Sequence, residues 1–300
     1  MLLILKENRS IRKEANKTIT ILKKKLTNKG VQVSTSNFEE VELFIEKNNV
    51  KAFIEKQPLE KYKVIFSRNV GKEKNLAFIL SELCKKQNIL YIDKLHSSIN
   101  DATKLKQTVL LAINSLPVPK TYFTSIYNDV ALEAAEKFLG YPMVIKLSKS
   151  SLGLGVYLAK NKTEAKKIIK KNLANEIIIQ EFIPNTFDYR ILILGKTIGA
   201  IIKRERQTDK KEFRNNVYLG ASETFLKQKE VNKTITKLAL KSAKITNIQV
   251  AGVDIVVDKD GNPYVLEVNI SPAFTFDEKI SNEIESLSNY LYICHKKKRR

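Results

Sequence analysis

The first third of the chain alternates short apolar runs with longer stretches in which apolar residues recur at helical spacing. Strands that alternate with helices predict a parallel sheet flanked by helices. The pattern predicts strands at 2–5, 31–35, 50–54 and 62–66 and helices at 10–28, 38–47 and 76–86. No GxGxxG follows the first strand, so the dinucleotide-binding fingerprint is missing.

From about residue 96 onward, short strands follow one another with fewer helices between them, which predicts an α+β arrangement with antiparallel pairs. Asp101 or Thr103 caps the first helix, and PVP at 117–119 ends it. The expected helices are 101–113, 129–139, 163–172 and 229–246, and the expected strands are 121–125, 142–146, 156–159, 177–183, 189–195, 197–205 and a hairpin over 250–271.

The C-terminal hairpin carries polar residues inside two apolar runs. Asp260-Gly261 between these runs is typical of a two-residue type I′ turn. Counting outward from that turn puts Asp254 directly opposite Glu267. Because side chains alternate along a strand, Asn269 shares the face of Glu267. Three side chains with oxygen donors are therefore expected on one patch of the sheet.

Two facing carboxylates repel each other and destabilise a hairpin unless a cation lies between them. Two carboxylates and an amide oxygen suit a hard cation such as Mg²⁺, which also binds substrate phosphates. The alternative is a solvated outer face of the sheet. The residues expected on the opposite face are apolar: Val253, Ile255, Leu266 and Val268.

Phosphate-binding features accompany this patch. Lys146 ends an apolar strand, and the loop SKSSLGLG follows it, with small residues that let backbone N–H groups approach an anion. The loop lacks the Walker A pattern, and a simple glycine-containing connection is the alternative. Arginine, which binds phosphate and carboxylate with a planar fork, clusters within 25 residues. The clustered arginines are Arg190, Arg204, Arg206 and Arg214.

The formal charge of +21 admits two hypotheses. Only nine of the 53 basic residues are Arg, and Lys is spread along the chain, which favours compositional bias with solvated lysines. The other hypothesis is attraction of an acidic macromolecule, such as a ribosome, an acidic protein tail or a polyglutamate. The terminal KKKRR at 296–300 is expected to be a solvated tail, and a phosphate-binding arm is the alternative.

The sequence contains two cysteines, Cys84 and Cys294, which lie far apart and belong to no CxxC motif. No disulfide framework or zinc site is therefore expected. No apolar run approaches the roughly 18 residues that a membrane helix needs. We therefore expect a cytoplasmic protein with no membrane partner.

The order of these motifs resembles a known family. A lysine-bearing helix precedes PMVIK and a Gly-rich loop, and QEFI, Asp188-x-Arg190, FRNN and GVD…EVNISP follow in sequence. This succession is similar to ATP-grasp ligases, and most similar to the RimK-like branch, which includes ribosomal-protein glutamate ligases. The resemblance covers residues 90–285, whereas the first 90 residues fit the family only in their pattern.

The resemblance implies an α/β and α+β architecture with ATP held between two lobes. A Rossmann-like pre-ATP-grasp domain would occupy residues 1–95, followed by a small lobe with the Gly-rich loop at 96–178. The C-terminal lobe with the metal site would span 179–290, and a basic tail would span 291–300.

The resemblance also implies roles for individual residues. Lys104, Lys146, Ser151, Gly153 and Arg214 would contact phosphate, Glu181 and Phe182 would meet adenine, and Asp188 would bind the ribose. Arg204, Arg214 and Asn216 would steady an acyl phosphate, and Asp254, Glu267 and Asn269 would hold two Mg²⁺ or Mn²⁺ ions. The alternatives are a solvated Lys104, a solvated or capping Glu181, and an ion pair of Asp188 with Arg190.

The implied activity is a carboxylate–amine ligase that uses ATP and an acyl phosphate to add glutamate or another amino acid to an acidic peptide or protein. One alternative is a ligase for a small metabolite. The other is a non-catalytic protein that binds nucleic acid or ribosomes on an ATP-grasp scaffold, and a homo-oligomer is compatible with each. Three positions depart from the family pattern and lie near the expected acceptor, so they concern the substrate more than ATP use: Gly220-Ala221, Pro272-Ala273 and the separated pair Arg204-Glu205-Arg206.

Overall fold

The computed structural model describes residues 1–7, 13–93, 103–148, 155–206 and 212–298. Its strands form four sheets, and helices pack between and around them. The mixed α/β and α+β architecture agrees with the expectation from sequence. None of the helices in these described ranges is long and apolar enough to cross a membrane.

The N-terminal region contains a four-stranded parallel sheet with the strand order β2-β1-β6-β7. Its two central strands are largely apolar because both of their faces are buried. Its elements are β1 (Leu2–Lys6), α1 (Lys13–Asn28), β2 (Val33–Asn37), β6 (Val64–Arg68), α2 (Lys74–Lys86) and β7 (Leu90–Ile92).

The predicted helix at 38–47 is wrong. After one 3₁₀ turn at 38–40, the chain forms β3 (Val41–Glu46), which pairs antiparallel with β4 (Asn49–Ile54). Apolar and acidic residues alternate over 41–43, and Asn48 supplies a positive φ of 66° at the turn, so a hairpin satisfies this segment better than a helix. With β5 (Gln57–Pro58), these strands make a separate sheet outside the expected parallel one.

The second region is a four-stranded antiparallel sheet with the order β10-β9-β11-β8. Two helices cover one of its faces and form a core with Met143, Ile145 and Ile179. Its elements are β8 (Thr121–Tyr122), α4 (Asp129–Leu139), β9 (Met143–Leu147), β10 (Val156–Ala159), α5 (Lys162–Lys171) and β11 (Ile177–Glu181).

The third region is a five-stranded antiparallel sheet with the order β14-β13-β12-β15-β16. Helices α3 and α6 cover one face, and α7 contacts the opposite face together with the N-terminal region. Its elements are α3 (Lys104–Ile113), β12 (Phe187–Leu194), β13 (Thr197–Glu205), β14 (Ser222–Leu226), α6 (Lys233–Ile245), β15 (Val250–Val257), β16 (Pro263–Ile270) and α7 (Glu283–Lys297).

Three features differ from the expected organisation. Helix α3 lies within the expected small lobe, 96–178, yet Leu111 joins the core of the five-stranded sheet. Strand β14 occupies a segment for which no regular structure was expected. The expected basic tail at 291–300 is wrong for residues 291–297, because α7 continues through them with Leu291 and His295 buried.

Candidate functional site

The hairpin β15–β16 places Asp254 directly opposite Glu267, which confirms the predicted pair. Asn269 lies opposite Gly252, and its Nδ2 donates to Asp254 Oδ2 at 3.1 Å and to the Gly252 carbonyl at 3.2 Å. The three predicted metal ligands are therefore neighbours on one face of the sheet.

The turn of this hairpin is longer than predicted. Residues 259–261 connect the strands, the Asp258 N–H donates to the Asn262 carbonyl at 3.0 Å, and Gly261 has a φ of 85°. The carboxylate of Asp258 accepts from the backbone N–H groups of Asp260 and Asn262, at 2.9 and 2.8 Å. These hydrogen bonds stabilise a three-residue loop, so the expected two-residue type I′ turn is wrong.

A second irregularity restores the predicted pairing. The register shifts between Asp254 and Ile255 because Leu266 is an extra residue on β16, as in a β-bulge. The bulge places Val265, rather than the expected Leu266, in the core on the opposite face. Two departures from the ideal hairpin thus cancel, and Asp254 still faces Glu267.

Two arginines hold the carboxylate of Asp254. Arg190 lies opposite it on β12 and donates from Nε and Nη2, at 2.9 and 2.8 Å. Arg204 Nη2 lies 3.3 Å from Asp254 Oδ1. Burial favours the neutral acid, but the two guanidinium groups outweigh it and lower the pKa of the Asp254 carboxyl to about 2. Asp254 is therefore ionised at neutral pH.

Asp188 pairs with Arg204, rather than with Arg190 as the alternative hypothesis had it. The two residues face each other on β12 and β13, and Arg204 Nε donates to Asp188 Oδ1 at 2.7 Å. Burial raises the pKa of Asp188 to about 6, against the pull of Arg204. Burial also opposes the charge of Arg204, but Asp254 and Asp188 outweigh it and raise the pKa of its guanidinium.

Helix α3 brings a lysine to Glu267. Thr103 caps the helix by accepting from the Lys106 N–H, and the buried Gln107 accepts from the Val268 N–H at 3.1 Å. Because Lys104 lies one turn from Gln107 on the same face, it reaches Glu267 with Nζ 3.3 Å from Oε1. The side chain of Lys104 is only 16% exposed, so it is not a solvated surface lysine.

Lys146 approaches the same patch from β9 of the antiparallel four-stranded sheet. Its side chain is half-buried, and burial lowers the pKa of its ammonium group to about 8, with Lys104 acting in the same direction. Glu267 and Asp254 partly offset this shift by attraction. Two lysines from different elements therefore lie near the two carboxylates. The predicted contacts Ser151 and Gly153 lie outside the described residues.

The predicted adenine segment begins where β11 ends. Glu181 Oε1 accepts from the Lys120 N–H at 2.7 Å, and the Glu181 N–H donates to the Lys120 carbonyl at 3.0 Å. The Glu181 carboxylate thus ties this segment to the strand beside it. The Phe182 ring meets the Phe213 ring edge to face, with centroids 6.2 Å apart. Phe182 therefore connects this segment to the FRNN motif.

The FRNN motif bridges the two sheets. Arg214 forms a two-pronged ion pair with Glu212, at 2.7 Å for both contacts, and its Nη1 donates to the Val156 carbonyl at 3.3 Å. The Asn216 amide oxygen accepts from the Tyr218 N–H and caps a 3₁₀ turn. Arg206 donates to Asn185 and to Phe213, which fastens the motif to the chain after β11.

The donor set fits a hard divalent cation at two of its three members. Asn269 directs its N–H groups at Asp254 and Gly252, which leaves Oδ1 as its acceptor, and Glu267 is half-exposed. Both oxygens of Asp254 already accept from Arg190, Arg204 and Asn269. Asp254 is thus fully occupied by these hydrogen-bond donors. Its predicted role as a metal ligand requires that one of the donors move away from its carboxylate.

Arg190 was expected only as a member of the arginine cluster and as an alternative partner of Asp188. Its partner Asp254 lies 64 positions away on a strand that pairs through long-range topology. Gln107 had no signal at all, because its carbonyl oxygen binds a backbone N–H of β16 across 161 positions. Both residues orient site groups, and only the assembled sheet shows it.

Comparison with known proteins agrees with this geometry. Residues 101–286, more than half of the chain, match the RimK-like ATP-grasp domain. The chain belongs to the RimK-like ATP-grasp family. This RimK-like chain is 35% identical over 189 residues to the coenzyme gamma-F420-2:alpha-L-glutamate ligase of Methanocaldococcus jannaschii, covering 61% of this chain and 62% of that one. It is 35% identical over 180 residues to a probable alpha-L-glutamate ligase of Vibrio atlanticus, covering 59% and 58%.

The match spans about three fifths of the length of these relatives. Solved structures share the fold of the RimK-like chain over nearly its whole length. The ATP-grasp ligase PsnB complexed with a minimal precursor, Mg and ADP has a TM-score of 0.72 at 14% identity, covering 98% of this chain and 97% of that one. The D-alanine–D-alanine ligase of Bacillus anthracis complexed with ATP has a TM-score of 0.68 at 19% identity, covering 99% and 94%.

Proposed function

We propose that this protein is an ATP- and Mg²⁺-dependent carboxylate–amine ligase that forms an amide bond through an acyl phosphate. The observation that carries the proposal is the opposed pair Asp254 and Glu267, with Asn269 beside it and Lys104 against Glu267. Family membership and the solved ATP-grasp ligases with bound ADP and ATP support the same chemistry.

The chain supplies several cationic side chains that could bind the phosphates of a nucleoside triphosphate. Lys104 and Lys146 lie near the carboxylates, and Arg214 reaches Val156 at the start of β10, which follows the Gly-rich loop in sequence. Bound Mg²⁺ would neutralise charge on the phosphates and polarise the transferring group. Glu267 and Asn269 would hold it, and Mn²⁺ or a second ion belongs to the same proposal. Positioned cations of this kind lower the barrier by stabilising charge that develops in the transition state.

Two arginines of the cluster have different roles in this proposal. Arg204 is only 4% exposed and binds Asp188 and Asp254, so we now assign it to orienting these carboxylates. Arg214 is more exposed and remains the proposed contact to phosphate, with Asn216 beside it. Asp188 stays the proposed ribose contact, and Glu181 and Phe182 the proposed adenine contacts.

The proposed acceptor is an acidic peptide or protein that receives glutamate or another amino acid. The relatives are named glutamate ligases, and PsnB was solved with a precursor peptide. Helix α6 adds a physical reason, because it contains no Asp or Glu and exposes a row of lysines on one face. Such a row attracts acidic chains. The lysines are Lys233, Lys237, Lys241 and Lys244.

This row distinguishes a large acceptor from a small metabolite. The buried face of α6 packs on Val253, Ile255 and Val268, which alternate with Asp254 and Glu267 along their strands. The lysine row therefore lies behind the sheet that carries the site. An acceptor that contacts both surfaces must extend around the sheet, whereas a metabolite would contact the site alone.

The proposed domain boundaries are residues 1–95, 96–178 and 179–290, with α3 assigned to the C-terminal lobe by its packing. A cytoplasmic location belongs to the same proposal. Cys84 and Cys294 are free thiols, as is usual in reducing compartments.

The experiment that tests the ligase is ADP release from ATP and Mg²⁺ with single amino acids, each with and without acidic peptides. We expect release that depends on one amino acid and is lost in Glu267→Ala. The matched control is Glu82→Ala, an exposed acidic residue on α2 in the N-terminal region, which should retain release. Absence of nucleotide binding and turnover in the unaltered protein would contradict the proposal.

A second candidate is a nucleic-acid-binding protein on the same scaffold, which the lysine row of α6 favours. It predicts RNA binding that weakens steeply with salt and needs no ATP. Turnover with an acidic peptide, in the absence of RNA binding, would eliminate this candidate.

A further inference from the structure

Arg68 connects the parallel N-terminal sheet to the end of the site hairpin. It is the last residue of β6, and only 3% of its surface is exposed. Its Nη2 donates to the Pro272 carbonyl at 2.6 Å, across 204 positions of sequence. Its guanidinium carbon lies 4.6 Å from the centroid of the Phe274 ring. One side chain thus holds two residues of the segment that follows β16.

That segment packs against the hairpin that carries the site. Pro272 packs against Gly252 so closely that a Cβ added at Gly252 would lie 2.8 Å from the Pro272 Cβ. Gly252 is opposite Asn269 and two positions before Asp254. A displacement of Pro272 would therefore be passed to Asn269 and Asp254, because close-packed interiors transmit strain.

Neighbouring contacts hold the end of β16 and the start of β15 at the same edge. The Asn69 N–H donates to Ser271 Oγ at 3.4 Å. The buried Asp93 follows β7, accepts from the Val250 N–H at 2.9 Å and donates from its own N–H to Gln249 Oε1 at 2.8 Å. The carboxyl edge of the parallel sheet thus fixes both the start of β15 and the segment that ends β16.

Stability alone does not explain an arginine at this position. Among the described residues, Arg68 Nε and Nη1 are buried without a hydrogen-bond partner. Burial lowers the pKa of the Arg68 guanidinium to about 10, against the attraction of Asp93 and Glu283. Burial of a charged group whose hydrogen bonds are incomplete costs free energy. The free-energy cost of this arginine therefore points to a role in geometry.

We propose that Arg68 is a positioning residue that fixes the segment 271–274 and, through it, the placement of Asn269 and Asp254. The inference rests on the proposed ligase function for its kinetic consequence, whereas its geometric part concerns the chain alone. The parallel sheet then contributes to catalysis without touching ATP.

The test compares Arg68→Met with Arg68→Lys and with the control Ser67→Ala. Ser67 is buried next to Arg68, but its hydroxyl bonds Ile92 within the parallel sheet and does not reach the hairpin. For Arg68→Met, assayed well below its Tm, we expect a kcat at least about tenfold lower and an unchanged KM for ATP. Arg68→Lys retains one donor for Pro272 and should show an intermediate kcat, and Ser67→Ala should turn over normally.

Amide hydrogen exchange of residues 264–270 gives a readout that needs no activity. Exchange should be faster in Arg68→Met than in the unaltered protein while α2 and β9 stay unchanged. An unchanged exchange rate with kcat within twofold would overturn the proposal, as would a kcat loss that only parallels a fall in Tm. If the unaltered protein shows no turnover, the ligase function fails, and faster exchange in the variant still supports the positioning role.

Discussion

Arg190 and Asp254 face each other on β12 and β15, and the guanidinium donates two hydrogen bonds to the carboxylate, at 2.9 and 2.8 Å. This geometry fixes Asp254 in orientation and keeps it ionised. The first consequence concerns stability, because each partner of a buried ion pair is costly when left alone.

Arg190→Ala should lower the free energy of unfolding by about 3 kcal/mol, since Asp254 loses its two-pronged partner. The double variant Arg190→Ala/Asp254→Asn should lose less than the sum of the single variants, with a coupling of about 1–3 kcal/mol. Urea unfolding at pH 7 measures all three. The exposed pair of Lys162 and Glu133 is the control, with an expected coupling below about 1 kcal/mol. Additive losses at Arg190 and Asp254 would show that the pair contributes nothing beyond its members.

Lys104→Ala should weaken ATP binding about tenfold or more, because it removes a cation that lies 3.3 Å from Glu267. Lys106→Ala on the same helix removes an equal charge from an exposed position and should change the affinity less than twofold. Titration calorimetry with ATP and Mg²⁺ measures both. Equal effects of the two variants would reduce Lys104 to a contribution from net charge.

Reversing charge on α6 should weaken an acidic peptide acceptor and leave nucleotide binding intact. We expect Lys237→Glu/Lys241→Glu to raise the KM for the peptide about tenfold at low salt, with the difference shrinking as salt screens the charges. The control is Lys167→Glu/Lys170→Glu, the same charge change on the exposed face of α5. A KM raised equally by both pairs would indicate net charge rather than a docking row.

Asp93 predicts a fall in stability with rising pH. Burial raises the pKa of its carboxyl to about 7, above its ordinary value of 3.8, although Val250 and Arg68 act in the opposite direction. The folded protein therefore retains a proton that the unfolded chain releases, so the contribution is full below about pH 4 and lost as pH rises through 7.

Asp93→Asn removes this titration. The unaltered protein should lose roughly 2–4 kcal/mol relative to the variant between pH 4 and 7, with little further change at higher pH. Denaturant unfolding of both proteins at several pH values measures the difference. A constant difference across this range would mean that Asp93 is ionised in the folded state throughout.

Local pattern was sufficient for most elements after residue 103. Asn128 and Asn161 cap α4 and α5 with their side chains, and Gly140 ends α4 with a φ of 71°. These capping interactions involve residues a few positions apart, so the ends of the helices can be predicted from the sequence. The prediction of a helix at 38–47 was wrong because the apolar residues of this segment satisfy both a helical and a strand spacing. Only pairing with β4 decides between the two.

The opposed pair Asp254 and Glu267 was also legible, because a hairpin brings its two strands together through a short turn. The pairing predicted by counting residues from the turn was nevertheless correct only because the bulge at Leu266 compensated for the longer turn. Bulges depend on how a strand packs against its sheet, so a turn signal alone does not reveal them.

Sequence by itself determined the alternating elements, the family motifs and the side chains that gather on the site hairpin, because each is set by local spacing or by a short connection. Tertiary structure alone decided which charges meet: Arg190 with Asp254, Arg204 with Asp188, and Arg68 with Pro272. The last of these contacts spans 204 positions. Such partners are fixed by strand order and burial in the folded chain, where long-range packing outweighs any local preference.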